Sequence, residues 1–103
     1  MTHAFPGNSM KNITNARIEN ITFQSGTAFV TVSYFDCAIC QKSRQTLRLV
    51  VGDNTLIFDE GGNIISINLL KTGMFINATI SSAMTMSIPP QAQAFIIRIL
   101  RRR

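Results

Sequence analysis

Residues 27–35, TAFVTVSYF, are the stretch that most narrows what this chain can become. β-Branched and aromatic side chains dominate it, and such residues suit a pleated, half-buried surface. Successive side chains of a strand point to opposite faces. Ala28, Val30, Val32 and Tyr34 therefore share one face, and Phe29, Thr31, Ser33 and Phe35 the other. The first set reads as core. The second is a mixed face carrying two large rings. Residues 45–51, QTLRLVV, alternate in the same way, with Leu47, Leu49 and Val51 inward. Thr46, Arg48 and Val50 point outward, and Arg44 shares their parity.

The rest of the chain follows the same period of two. In residues 16–24, Ile21 and Phe23 alternate while Ile18 falls one position out of phase. That slip predicts a bulge, a common device where a strand bends around a barrel. Ser25-Gly26 reads as a tight hairpin turn. Gly52-Asp53-Asn54 is a second turn, 55–58 a short strand and 59–63 a strong turn signal. Ile64 and Ile65 resume extended structure. Residues 66–73 read as one short helical turn, with Ser66 capping its start and Gly73 closing its end. Residues 74–81 put Met74, Ile76, Ala78 and Ile80 inward and Phe75, Asn77 and Thr79 outward. A loop over 81–93 leads to residues 94–100, which are apolar at nearly every position. Such a run predicts a strand covered on both faces.

No internal repeat and no long amphipathic helix interrupts this order. About five main strands need closure to hide their edges. The expected fold is all-β: a small five- to six-stranded OB-like Greek-key barrel with one short helical turn. Residues 1–14 lack periodicity and are expected as a flexible leader, 15–100 as the barrel domain and 101–103 as a basic tip.

Composition agrees with one globular domain: 103 residues, 46% hydrophobic and 15% charged. No apolar run approaches the roughly 20 residues of a membrane helix. The first residues have neither a basic nor an apolar signal region, which predicts a cytoplasmic protein, or an exported one if a signal has been removed. The net charge of +5 is unevenly placed. All the acids and six of the ten basic residues precede Arg98, and the other four bases are Arg98, Arg101, Arg102 and Arg103. The body is nearly neutral and the C-terminal tip basic. Such a tip is either a solubilising end or a contact for phosphate or anionic lipid.

The segments TLIF at 55–58, GNII at 62–65, LKTGMFI at 70–76 and SIPPQAQAFII at 87–97 together resemble small OB-like barrel domains of bacterial, mainly Gram-positive, proteins. The resemblance covers about residues 45–100. Its most specific parts are the leucine-lysine-x-glycine entry to one strand and the proline-glutamine-alanine run before the last. Both are structural, so the resemblance implies a fold and not an activity. Many of those domains are uncharacterised and several are exported.

Cys37-Ala-Ile-Cys40 is the sharpest local motif. Two cysteines supply half of a tetrahedral zinc site. The single histidine, His3, lies in the leader, and no second pair exists. A redox cysteine pair wants the N-terminus of a helix in a βαβ setting, and none is predicted here. The pair reads as a loop feature, with a half-site for metal and redox chemistry as alternatives. No Ser/His/Asp set and no phosphate loop before a helix occurs, so neither an enzyme nor a cofactor is expected. Asn12-Ile-Thr14, Asn20-Ile-Thr22 and Asn77-Ala-Thr79 match the glycosylation sequon and read as chance matches in a chain of bacterial character. The methionines read as filling: Met74 inward, Met84 and Met86 in a loop.

Binding is the function with most support. OB barrels use the outer face of their second and third strands. By parity that face carries Phe29 and Phe35 beside Arg44 and Arg48, with Arg98 opening the basic tip. Rings for stacking beside guanidinium groups suit single-stranded nucleic acid or another anionic ligand. The alternatives are a protein-interaction or self-assembly module using the same face, or rings covered by the leader, the helical turn or a second subunit.

Overall fold

The computed structural model describes residues 10–36 and 43–100. Six strands follow in order: β1 (Met10–Gln24), β2 (Thr27–Asp36), β3 (Ser43–Val51), β4 (Leu56–Phe58), β5 (Phe75–Ser81) and β6 (Gln91–Ile99). A 3-10 turn, Ile67–Leu69, lies between β4 and β5. β1, β2 and β3 form an antiparallel meander. β5 then returns beside β1, which is the Greek-key move. β6 pairs antiparallel with β5 and parallel with β3, so five strands close into a barrel. β4 adds a parallel partner along the far half of β6. The protein is a small all-β barrel, as the alternation predicts.

β1 accounts for the closure. Its N-terminal part pairs with β5 and its C-terminal part with β2. Two register shifts let one strand serve both neighbours, one between Ile13 and Ala16 and one between Ile18 and Asn20. The second is the bulge that the phase of Ile18 predicts. The first straddles the boundary expected between leader and barrel, with Asn15 at φ 56°, a conformation Asn tolerates better than most residues. Each shift reverses which parity faces inward, so Ile13, then Ala16 and Ile18, are all buried. Residues 10–14 thus belong to β1 and not to a leader; residues 1–9 and 101–103 lie outside the described residues.

The inward sets expected of β2, β3 and β5 form most of the core, joined by Ile13 from the expected leader and Ala92 from the expected loop. Ala28, Val30, Val32 and Tyr34 of β2 are buried with Leu47, Leu49 and Val51 of β3. Ile76, Ala78 and Ile80 of β5 join them, with Met74 and Met84 packed at the margin. Burying side chains of this size stabilises by about 1.5–3 kcal/mol each. Met84 was expected in a loop as mere filling; it stands in the loop and still reaches the core. Ser25 (φ 48°) and Gly26 (φ 82°) form the β1–β2 turn, both central residues left-handed as the favoured two-residue hairpins require.

Three expectations need correction. The strand expected at 94–100 begins at Gln91, because Arg48 of β3 pairs with Gln91 and Leu49 with Ala92. That strand is not covered on both faces, since Ile96 and Arg98 are exposed. A register shift against β5 passes over Phe95, so Ala92 and Ala94 face inward before it and Ile97 and Ile99 after it. The change of phase produces the near-continuous apolar text. Finally, Gly73 does not close the helical turn. Ser66 caps it as expected, its Oγ accepting from the Asn68 N–H at 3.3 Å, but Leu70 ends it. Gly73, at φ 90°, instead turns the chain into β5 and donates its N–H to the Ile18 carbonyl at 2.8 Å.

Candidate functional site

The outward residues of β1, β2, β3 and β6 align in rows. Asn20 pairs with Thr31, Thr31 with Arg48, and Arg48 with Gln91. The next row is Thr22, Phe29, Val50 and Gln93. With neighbouring strands about 4.8 Å apart, each row crosses about 14 Å of surface. Over these rows lies a groove of about 370 Å³, lined by Asn20, Thr22, Gln24, Phe29, Thr31, Arg48 and Gln91. Phe29 is half-buried in it. Arg48 donates from Nη1 to Gln91 Oε1 at 3.2 Å, which steadies the guanidinium and leaves its other donors available.

Phe35 and Arg44 sit farther along the same face and do not line the groove. Phe35 is 61% exposed, with the Arg44 guanidinium 5.6 Å from its ring centroid. Arg44 also faces Glu19, the residue the β1 bulge leaves unpaired. Glu19 Oε2 accepts from Ser33 Oγ at 2.5 Å and lies 3.6 Å from Arg44 Nη2, while Oε1 accepts from Arg17 Nη1 at 2.7 Å. The Ser33 hydroxyl, with Arg17 and Arg44 nearby, holds this carboxyl below the usual carboxylate range. Arg44 therefore already has an anion, and its role as a ligand contact is weaker than parity implied.

Arg98 is separate from both. It pairs with Asn77 across β5–β6, and its guanidinium lies 5.3 Å from the Phe58 ring centroid. It lines a second groove of about 350 Å³ with Asn12, Thr14, Asn77, Thr79 and Ile96. There Thr79 Oγ1 donates to Asn12 Oδ1 at 2.8 Å, and the Asn15 backbone N–H to Asn77 Oδ1 at 3.0 Å.

Of the five candidate residues, the structure joins Phe29 with Arg48, sets Phe35 with Arg44 beside them and parts Arg98 from all four. Asn20, Thr22, Gln24 and Gln91 were missed as site residues. The signal for the first three was present, since Asn20-x-Thr22-x-Gln24 is a polar alternation on one strand face. Gln91 was assigned to a loop. Cys37 and Cys40 lie outside the described residues. Among the described residues no group of three or more His, Cys, Asp or Glu side chains is placed to hold a metal, and no helix is long and apolar enough to cross a membrane.

Fold and site together define a small β-barrel with an open polar groove on one outer face. No family model, no curated protein and no solved structure matches the chain. The resemblance over residues 45–100 rests on its own residues.

Proposed function

We propose that this chain is a non-catalytic binding domain of the OB type whose ligand carries an anionic group and lies on the outer face of β1, β2 and β3. The strand order, a three-stranded meander closed by a parallel pair, supports the OB reading. The observation that carries the binding reading is Arg48 beside Phe29 in one groove: a fork of donors for an anion next to a ring for a flat or apolar surface. Single-stranded nucleic acid and other chain-like anions fit that description. The test is retention of the protein on immobilised anionic polymers at low salt. Arg48→Ala should weaken binding about tenfold or more, in keeping with a charged hydrogen bond, and Arg44→Ala less. Failure to retain any anionic polymer at low salt would sink the reading.

The exposure of Phe35 favours a protein-interaction role second. A strict monomer in light scattering at high concentration would count against its self-assembly form.

A further inference from the structure

We infer that the groove over Asn20, Thr31 and Arg48 takes an acidic oligosaccharide, an inference that rests on the binding role proposed above for the same groove. The lining holds one cation, Arg48, and one ring, Phe29. Every other lining residue is an uncharged amide or hydroxyl. A polynucleotide presents one phosphate per nucleotide, and sequence-tolerant binders meet it with a cationic track and successive stacking rings. The groove offers one cation and one ring, and the second pair on this face, Phe35 and Arg44, lies outside it. A further cation of this face, Arg44, is held by Glu19, whose carboxylate accepts from Ser33, the next outward residue of β2 after Thr31. The cations beyond the groove, Arg17 and Arg44, are thus already engaged by Glu19 and do not extend the groove into a free cationic track.

The uncharged residues are set for another class of ligand. Among the described residues, the side chains of Asn20, Thr22, Gln24 and Thr31 make no hydrogen bond to another group. They stand in three successive rows of the register, Asn20 with Thr31, Thr22 with Phe29 and Gln24 with Thr27. The Arg98 groove has similar residue types, but there Thr79 donates to Asn12 and Asn77 Oδ1 accepts from the Asn15 backbone N–H. Amides and hydroxyls each donate and accept, as sugar hydroxyls do, so the free row can exchange its water for a saccharide without leaving either side unpaired. The Phe29 ring suits the C–H face of a pyranose. The Arg48 guanidinium has donors to spare for a carboxylate, with Nη1 steadied by Gln91 Oε1.

The inference is tested with the full chain against four probes: oligogalacturonate, the same oligomer as its neutral methyl ester, a hyaluronan oligomer and single-stranded oligo-dT. One or both uronate-bearing oligomers should bind, and oligogalacturonate about tenfold more tightly than its ester, with a salt dependence equivalent to about one ion contact. Arg48→Gln should abolish the preference for acid over ester and its salt dependence, in a variant whose thermal melt shows that it still folds. Asn20→Ala with Thr31→Val should weaken acid and ester together. If oligo-dT is retained with a steep salt dependence and is lost in Arg48→Gln, while no saccharide binds, the saccharide inference falls and the groove keeps its anionic ligand. If no probe binds, or if binding ignores Arg48→Gln, both fall.

Discussion

Glu19 shows how much one side chain settles at this surface. The bulge after Ile18 leaves it without a cross-strand partner, and its carboxylate gathers Ser33, Arg17 and Arg44. Its pKa is lowered in the folded chain, first by the Ser33 hydrogen bond and then by the two arginines. A carboxyl with a depressed folded pKa contributes stability above its unfolded value and loses it as pH falls through the folded one. The native protein should therefore melt higher than Glu19→Gln at neutral pH, and the gap should close as pH drops below 4.5, the ordinary value for Glu. A gap independent of pH, measured by thermal melts across an acid series, would contradict this account. Added salt should narrow the gap at neutral pH, because part of the effect is Coulombic between exposed groups.

Among the elements, β1 and the entry to β5 carry the unusual backbone. β1 reverses its inward parity twice, which lets it join β2 on one side and β5 on the other. Opposite the second shift, Gly73 turns the chain at φ 90° and donates to Ile18, while the Ile18 N–H donates to the Met74 carbonyl at 2.9 Å. A Cβ at Gly73 would meet nothing within 4 Å, so the space is free and only the conformation resists substitution. Gly73→Ala should therefore cost about 1–2 kcal/mol, the penalty of an L-residue in the left-handed region. Urea denaturation measures it, and an unchanged midpoint would mean that the turn relaxes. Asp59 plays a comparable part in the turn after β4. Its Oδ1 accepts from the Gly61 and Asn63 N–H groups at 2.9 Å each, and these bonds hold its carboxyl below its usual value.

At the scale of the molecule, the barrel depends on the seam where β3 meets β6. Leu49 sits at that seam, fully buried, paired with Val30 on one side and Ala92 on the other. Leu49→Ala should cost about 2–5 kcal/mol, because the closed barrel has little freedom to collapse into the space. That is a large part of the 5–15 kcal/mol typical of a whole domain. A loss below about 1 kcal/mol in chemical denaturation would show that the seam repacks.

What the sequence determined by itself is the local part. Alternation in 27–35 and 45–51 assigned the inward sets of β2 and β3, the slip at Ile18 announced a bulge, Ser25-Gly26 announced a hairpin and Ser66 a cap. Each is decided by neighbours within a few positions, through side-chain parity or backbone conformation. The tertiary structure alone decided the rest. It extended β1 back to Met10, because β5 supplies the partner strand. It moved the start of β6 to Gln91, because Arg48 lies beside it. It also split the candidate residues, leaving Phe29 and Arg48 over the groove, giving Arg44 to Glu19 and carrying Arg98 to another face. Pairings between residues 43 or more positions apart in the chain, such as Arg48 with Gln91, leave no periodic trace in the text. They exist only once the barrel has closed and brought distant strands into register.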